Sequence, residues 1–150
     1  MNTSTTPLKV LADGTEVPAT DACTDHVAVL FPDTGWMVAR QALTTPKGKE
    51  LKSADAVDTS ATKLQLLGFQ DWINAPLDDV WLRHVLNHDR YSPAVDTNLF
   101  PDLPLGFYWT GTVTPWSAES AFLVFLHLGY VNYYRRNSSG FGLACRRARQ

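Results

Sequence analysis

The last third of the chain reads FYWTGTVTPWSAESAFLVFLHLGYVNYYRRNSSGFGLACRR from Phe107 to Arg147. Short aromatic and aliphatic runs in this stretch are separated by turn residues, above all at Leu128–Gly129 and Asn137–Gly140. Such spacing is typical of antiparallel strands joined by tight turns. The stretch predicts a four-stranded meander with strands at Phe107–Thr110, Ala121–His127, Tyr130–Arg135 and Phe141–Arg146. The second of these strands is apolar on both faces, which favours a central position in the sheet.

Two helices are predicted upstream of this sheet. Ser53 is a suitable N-cap for a helix over Ala54–Leu67, and Gly68 is a natural stop. A second helix is predicted from Pro76, a residue that fits the first helical position, and Asp78–Asp79 in its first turn complement the helix dipole. Its apolar positions share one helical stripe, which comprises Leu77, Val80, Trp81, His84 and Val85.

The first quarter of the chain is predicted to contain strands and turns. Residues 1–25 indicate a flexible N-terminal arm that carries a short strand at Leu8–Leu11. Val27–Phe31 and Trp36–Arg40 are predicted to form a hairpin, because Pro32–Gly35 between them has the residues of a type I turn.

A long irregular stretch, Asn87–Gly106, lies between the second helix and the sheet. Loops of this length usually carry function or are held in place by their own side chains. Two early helices and a late antiparallel sheet predict an α+β fold over residues 26–150. The total length of 150 residues fits a single domain.

Composition excludes several classes of protein. The formal net charge is −2, which argues against general nucleic-acid binding. No apolar run approaches the roughly 20 residues that a membrane-spanning helix needs, so we expect no membrane insertion. The N-terminal residues have neither the basic nor the apolar segment of a secretory signal. We therefore expect the protein to fold first in a cytosol, with Cys23 and Cys145 reduced.

The charges are unevenly distributed along the chain. Residues 120–150 contain five arginines and no acidic residue, a charge of +5, whereas residues 1–119 carry −7. This basic C-terminal end has two interpretations, an acidic partner or a solvated strand edge followed by a basic tail.

No established pattern of catalytic or metal-binding residues is present. His84 and His88 have the i, i+4 spacing of two metal ligands on a helix, but no third ligand is identifiable. Cys145 beside two arginines is a candidate nucleophile, although a lone cysteine in a buried strand usually packs as a small hydrophobe. Asp96 with Asp102 lacks the motifs that accompany calcium in lectins. We predict no catalytic residue, metal or cofactor, and keep an enzyme that uses Cys145 as an alternative.

The strand Tyr130–Arg135 and its surroundings carry the best candidate binding residues. Alternation places four residues of this segment on one face, and their mix of tyrosine, asparagine and arginine resembles an antibody paratope in composition. The predicted partner-binding residues are Tyr130, Asn132, Tyr134 and Arg136, together with Trp116 on an exposed loop. The other tryptophans are expected in the core, namely Trp36, Trp72, Trp81 and Trp109. The alternative for the strand is that its aromatic residues only cover the sheet.

Several motifs occur in the order found in a known family. They are Asp33–Met37 (DTGWM), Leu67–Trp72 (LGFQDW), Arg90–Pro101 (RYSPAVDTNLFP), Phe107–Thr110 (FYWT), Gly129–Tyr134 (GYVNYY) and Ala144–Arg147 (ACRR). Over residues 27–147 the chain resembles the Lcl C-terminal domain family, which is named for a collagen-like bacterial adhesin. The resemblance implies a C-type-lectin-like fold with a twisted antiparallel sheet, two helices and a long loop region.

The chain departs from the family at two places. Members often have a cysteine in the first helix that can pair with the one near the C-terminus, whereas this chain has Thr59–Thr62 in that region. Members also tend to follow their Asp-Trp with Arg-Leu-Pro, where this chain has Ile73–Pro76. The missing cysteine pair fits a protein that assembles in a reducing cytosol.

The resemblance implies a non-enzymatic binding or assembly module. Together with the missing cysteine pair it favours a bacteriophage virion component, a tail, fibre or capsid-surface protein that is made in the host cytoplasm. Expected partners are other virion proteins or a host-surface receptor, and further copies of the chain in a homo-oligomer. One alternative is a bacterial adhesin domain that binds acidic or sulfated polysaccharide and is exported by a route that the sequence does not show. Another is a small intracellular inhibitor encoded by a phage.

Overall fold

The computed structural model describes residues 6–148 as a mixed α+β protein with two sheets and two helices, which confirms the predicted class. The strands are β1 (Leu8–Val10), β2 (Glu16–Pro18), β3 (Ala28–Phe31), β4 (Trp36–Ala39), β5 (Ile73–Asn74), β6 (Phe107–Val113), β7 (Ser120–Phe125), β8 (Tyr130–Arg135) and β9 (Ala144–Arg147). An α-helix, α1, spans Ala54–Lys63, and a π-helix spans Leu77–Val85. No helix in this described part of the chain is long and apolar enough to span a bilayer.

The larger sheet has six strands in the order β2-β1-β3-β4-β9-β5, and neighbouring strands are antiparallel. β3 and β4 form the predicted hairpin, in which the Gly35 N–H donates to the Phe31 carbonyl at 2.8 Å. Gly35 has a φ of +83°, a left-handed conformation that glycine adopts at little cost. β9 lies between β4 and β5, so a C-terminal strand joins two early parts of the chain.

The prediction of a four-stranded meander is wrong. The smaller sheet contains only β6, β7 and β8, and the segment after β8 leaves it. Phe141 runs along the far side of β6, where its N–H donates to the Phe107 carbonyl and its carbonyl accepts from the Trp109 N–H, both at 2.8 Å. Residues 143–145 are fully buried, and such residues suit a strand covered on both faces. The chain therefore enters the larger sheet as β9.

Helix α1 begins as predicted and ends earlier than predicted. The Ser53 hydroxyl accepts a hydrogen bond from the Ala56 N–H at 3.1 Å, which satisfies one free donor of the first turn. The helix ends at Lys63, because Leu64 is already extended and the following leucines pack against the core from a non-helical segment. Gly68, the predicted stop, lies in a separate turn with a φ of +79°.

The second helix follows Pro76, which precedes the first helical residue instead of occupying it, and its hydrogen bonds are of the π type. The Trp81 N–H donates to the Pro76 carbonyl, five residues back, at 3.2 Å, and the Leu86 N–H donates to the Trp81 carbonyl at 2.8 Å. Short π-helices of this kind are rare. The predicted stripe is confirmed, since His84 is half-buried and the other positions are buried.

Three of the four expected core tryptophans are in the core. Trp72, Trp81 and Trp109 are at most 1% exposed. The Trp109 Nε1 donates to the Ser138 carbonyl at 2.9 Å, so its polar atom is satisfied. Trp36 is only half-buried and carries the Arg147 guanidinium 4.4 Å above its ring centre.

The described part of the predicted N-terminal arm is built into the larger sheet. β1 pairs with β3 through Leu8 opposite Leu30, and β2 pairs with β1. Lys9 is fully buried, and its Nζ donates to the carbonyls of Asp21 and Cys23 at 2.6 Å each and to the Asn98 Oδ1 at 2.9 Å. The short strand of the prediction is therefore present, whereas a free arm does not describe residues 8–18. Residues 1–5 lie outside the described residues.

The long irregular stretch, Asn87–Gly106, is held in place by its own residues. This is one of the two possibilities expected for a loop of this length, the other being a functional role. The Asn87 N–H donates to the Ala94 carbonyl, and the Ala94 N–H donates to the Leu126 carbonyl, both at 2.8 Å. Ala94, Val95 and Phe100 are at most 1% exposed. The loop is thus packed against the end of β7.

Candidate functional site

Strand β8 is exposed along all six of its residues. Within residues 6–148 it is the outer strand of the smaller sheet and pairs with β7 alone, from Ser120 opposite Arg135 to Phe125 opposite Tyr130. The opposite edge of that sheet, β6, is covered by Phe141. The edge strand β8 therefore has exposed side chains on both faces and carries four of the exposed large hydrophobic residues, Tyr130, Val131, Tyr133 and Tyr134.

Tyr130, Asn132 and Tyr134 lie on one face of β8, as predicted. The register places them opposite Phe125, Leu123 and Ala121 of β7. Phe107 of β6 joins this face, with its ring centre 5.1 Å from Phe125 and 6.1 Å from Tyr134. We call these residues the Tyr134 face, a cluster of Phe107, Phe125, Tyr130, Asn132 and Tyr134.

Trp116 lies on the other face of the same sheet. Its ring meets Tyr133 at 5.0 Å and Phe122 at 5.9 Å, both nearly edge-on. We call this second cluster the Tyr133 face, which comprises Trp116, Phe122, Val131 and Tyr133. Trp116 is 60% exposed and Tyr133 is 50% exposed, so both rings present large surfaces to solvent.

The structure therefore separates Trp116 from the other predicted binding residues and adds Tyr133, which the sequence interpretation did not include. Alternation along β8 put Tyr133 on the opposite face from Tyr134, and that signal was correct. The sequence did not reveal on which side of the sheet the loop before β7 places Trp116. Its edge-on contact with Phe122 provides the answer.

Arg136 is tied to helix α1. Its Nη2 donates to the Asp58 Oδ2 at 2.8 Å, and its Nε donates to the Asp55 Oδ1 at 3.2 Å. The hydrogen bond with Asp55 is the main cause that raises the pKa of Arg136. This predicted binding residue holds the end of β8 against α1, and its charge is already neutralised within the molecule.

Asn132 also makes an internal contact. Its Oδ1 accepts a hydrogen bond from the Tyr133 N–H at 2.8 Å. The Arg136 N–H, just after β8, donates to the carbonyl of Glu119, just before β7, and N–H groups point alternately towards and away from a partner strand. The Tyr133 N–H therefore points to the open edge of β8, where Asn132 caps it.

Much of the basic C-terminal end is paired internally. The Arg146 Nε donates to the Asp71 Oδ1 at 2.6 Å, and the Arg146 guanidinium lies 3.6 Å above the Phe69 ring centre. This hydrogen bond holds the pKa of Asp71 below its usual range. Arg136 and Arg147 are likewise engaged, by α1 aspartates and by Trp36. The carboxylate partners of Arg136 and Arg146 reduce the positive charge that this end can offer to an acidic polysaccharide.

His84 and His88 do not form the face of a metal site. The π-helix ends at Val85, so His88 lies beyond it and contacts the Gly129 carbonyl through Nε2 at 3.0 Å. The His84 Nε2 lies 2.8 Å from the Thr34 hydroxyl, and burial lowers the pKa of His84. Residues 6–148 contain no group of three or more side chains placed to hold a metal ion.

The two aspartates considered for calcium have separate partners. Asp102 forms an ion pair with Arg40 at 3.2 Å. The Asp96 Oδ1 accepts from the Asn98 N–H at 2.9 Å within the long loop.

Cys145 is a poor nucleophile in this position. It is fully buried in β9, and burial raises the pKa of its thiol to about 12 despite the nearby Arg147. The thiolate, which is the reactive form, is therefore strongly disfavoured at neutral pH. Cys145 packs as a small hydrophobe, as expected, and both cysteines are free.

The Ser92 hydroxyl contacts His127 Nδ1 at the surface. Among the described residues, no carboxylate hydrogen-bonds to His127 to orient its ring. A serine nucleophile normally needs a base that a third group orients. The pair thus lacks one component of a catalytic triad.

His26 is fully buried, and its Nε2 donates to the Leu99 carbonyl at 2.7 Å. Burial is the main cause that lowers the pKa of His26. The imidazole is therefore neutral near pH 7, and its role is structural, as a hydrogen-bonded residue of the core.

Comparisons with protein-family models, with curated proteins and with solved structures returned no match. Support for the Lcl C-terminal domain resemblance therefore comes from the order of its motifs alone.

Proposed function

We propose that this protein is a non-enzymatic binding and assembly module that contacts its partner through β8 and the two aromatic faces beside it. The observation that carries the proposal is a six-residue edge strand, exposed throughout, with aromatic clusters on both of its faces. Tyrosine and tryptophan dominate the energetics of protein interfaces, because each gives a large rigid contact area with a polar end.

The size of this surface supports a contact role. Trp116, Tyr130, Tyr133, Tyr134 and Phe107 are each 38–60% exposed. At about 200 Å² for each aromatic side chain, the exposed rings present roughly 300 Å² on the Tyr134 face and roughly 200 Å² on the Tyr133 face. The largest patch on a typical monomeric protein is about 300–600 Å² and is often functional, and the Tyr134 face alone reaches the lower end of that range.

The finer fold and the biological setting belong to the same proposal. We assign the domain a C-type-lectin-like fold and place it on a bacteriophage particle, as a tail, fibre or capsid-surface protein that contacts other virion proteins or a host receptor. The ordered motifs from Asp33 to Arg147 support the fold, and the missing helix cysteine supports assembly in a reducing cytosol. Because Arg136 and Arg146 are paired internally, a polyanion-binding adhesin is less well supported.

Particle analysis tests the proposal. Mass spectrometry of purified particles of a phage that encodes the chain should detect the protein. Trp116→Ser and Tyr133→Ser each remove one exposed ring without opening the core, and both should reduce incorporation at least about tenfold, the effect of losing about 1.4 kcal/mol of contact energy. Leu82→Ser on the π-helix, where Leu82 is 41% exposed, is the matched control and should leave incorporation unchanged.

Absence of the chain from particles would overturn the virion setting. Normal incorporation of both ring variants would instead show that β8 does not hold the protein on the particle.

A further inference from the structure

We infer that the partner of β8 is a second copy of this chain, paired antiparallel along β8, so that two three-stranded sheets join into one of six strands. The inference rests on the proposed use of β8 as a contact surface and adds the identity of the partner and the geometry of the contact. It follows from the open backbone edge, from the placement of aromatic residues on both faces, and from the self-complementary order of the β8 residues.

The backbone edge is the first argument. The Arg136 N–H donates to the Glu119 carbonyl, so alternation directs the N–H and carbonyl groups of Val131, Tyr133 and Arg135 away from β7. Two of these groups have local partners, since the Tyr133 N–H donates to the Asn132 side chain and the Arg135 carbonyl accepts from the Ser138 N–H at 3.3 Å. The others face the open edge, and outward groups of this kind are a template for another strand. β8 contains no lysine, proline or bulge, its one charged residue is Arg135 at the end of the strand, and its pairing with β7 is regular over all six residues.

The second argument is that the aromatic residues lie on both faces of β8. A partner that covers one face of the sheet would reach either Tyr134 or Tyr133, because the two rings point to opposite sides. A strand that continues the sheet places its own side chains beside both clusters at once. Edge-on pairing is therefore the geometry that uses Trp116 with Tyr133 and Phe107 with Tyr134 in the same contact.

The third argument identifies a second copy as the strand. Antiparallel pairing about Tyr133 sets Tyr133 against its own counterpart and Val131 against Arg135 of the second copy. The two Arg135 side chains are then four residues apart along the strands, about 14 Å at about 3.4 Å per residue. That distance exceeds the Debye length of about 8 Å at physiological ionic strength. No like charges face each other across the two-fold axis, and the two tyrosines form an aromatic cross-strand pair.

Asn132 opposes this pairing in the free protein. Its Oδ1 accepts from the Tyr133 N–H at the centre of the edge. The side chain must release that N–H before the second copy can bond to it. Formation of the dimer therefore breaks one internal hydrogen bond in each copy. This loss weakens the dimer and makes its formation reversible.

Sedimentation equilibrium of the purified chain between about 1 µM and about 1 mM tests the inference, since this range covers the dissociation constants of weak reversible interfaces. The unmodified chain should form a dimer. Tyr133→Asp and Tyr133→Lys each place like charges against each other on the two-fold axis and should weaken dimerisation at least about tenfold. An equimolar mixture of the two variants should form a heterodimer, because opposite charges then meet.

Two controls accompany these variants. The first tests whether the effect of the charge depends on its position, and the second tests whether pairing depends on the backbone N–H or on the side chain. Tyr91→Asp changes the same residue type at a tyrosine that is 75% exposed elsewhere and should leave the dimer intact. Val131→Pro removes an outward N–H that β7 does not use, and should abolish the dimer. Val131→Ala keeps that N–H and should retain it.

Each outcome decides between the two proposals. A chain that stays monomeric up to about 1 mM, or a mixture of the Tyr133 variants that fails to associate, overturns self-pairing. If the Trp116 and Tyr133 serine variants nevertheless lose incorporation into particles, β8 binds a different partner and the proposed function stands. If the dimer behaves as described while those variants are incorporated normally, self-pairing stands and the proposed function fails.

Discussion

Lys9 Nζ and Asn98 Oδ1 are joined by a hydrogen bond of 2.9 Å, although 89 residues separate them in the chain. The bond connects β1 to the long irregular loop, and the Asn98 Nδ2 in turn donates to the Ala19 carbonyl at 2.6 Å. Lys9 is fully buried, and its other hydrogen bonds go to the backbone carbonyls of Asp21 and Cys23. One ammonium group thus links the N-terminal segment to the loop that packs under the smaller sheet.

Lys9→Met should lower the free energy of unfolding by about 2–4 kcal/mol. Methionine fills much of the same volume, but it removes the charged donor of three part-buried hydrogen bonds, and a hydrogen bond to a charged group contributes about 1.5–3 kcal/mol. Urea denaturation measures the change. Lys49→Met, at an exposed position, is the control and should change stability by less than about 0.5 kcal/mol. Equal stability of both variants would show that the buried ammonium contributes nothing.

Ser53→Ala should cost about 1 kcal/mol, because the Ala56 N–H loses its acceptor at the first turn of α1. Ser60→Ala, within the same helix, is the matched control and should be neutral or slightly stabilising, since alanine has the higher helix propensity. Thermal or urea unfolding of both variants measures the difference. A larger loss from the Ser60 variant than from the Ser53 variant would contradict the capping role.

The stability of the protein should fall as the pH decreases below about 6.5, the ordinary pKa of histidine. Burial lowers the pKa of both His26 and His84 in the folded state. Between the folded and the unfolded pKa values the unfolded chain binds more protons, so acidification favours unfolding. The stabilisation of the neutral rings is fully present above the unfolded pKa and is lost as the pH falls towards the folded values.

Urea midpoints at about pH 7 and about pH 5 measure this loss. His26→Gln cannot be protonated in this range and should show a smaller decrease between the two pH values than the unmodified chain. A decrease of the same size in the variant would assign the pH dependence to other groups.

Asn132→Ala should tighten self-association about thirtyfold, because the outward N–H of Tyr133 is no longer capped in either copy and each typical internal hydrogen bond contributes about 1 kcal/mol. Asn137→Ala, in the exposed turn that follows β8, is the control and should leave self-association unchanged. Sedimentation equilibrium compares the dissociation constants. Weaker association of the Asn132 variant would mean that its side chain contacts the partner directly, as the sequence interpretation supposed.

The sequence predicted the local elements of this fold correctly where periodicity or a single residue determines the secondary structure. β8 was predicted with its observed bounds, because alternation and the flanking turns at Gly129 and Asn137 define it on both sides. The start of α1 followed from Ser53, and the buried stripe of the second helix followed from its helical spacing. The π type of that helix has no sequence signal, since the same stripe suits an α-helix.

The features that depend on contacts between distant parts of the chain could not be predicted from the sequence. Residues 141–146 have the composition of a fourth meander strand, and only the tertiary structure shows that β9 pairs with β4 and β5. The same limit applies to the site. Alternation placed Tyr133 and Tyr134 on opposite faces, but the salt bridges of Arg136 and the position of Trp116 depend on residues far away in the chain.

The position of β9 also determines when the larger sheet can close during synthesis. In the described part of the chain, the sheet partners of Ile73 and Asn74 are Cys145 and Ala144, and β4 also needs β9 to cover its second edge. Until residues 144–147 have emerged from the ribosome, one edge of β4 is therefore unpaired and β5 has no partner strand. Closure of this sheet follows the translation of almost the entire domain, so folding is completed after residue 147 has left the exit tunnel.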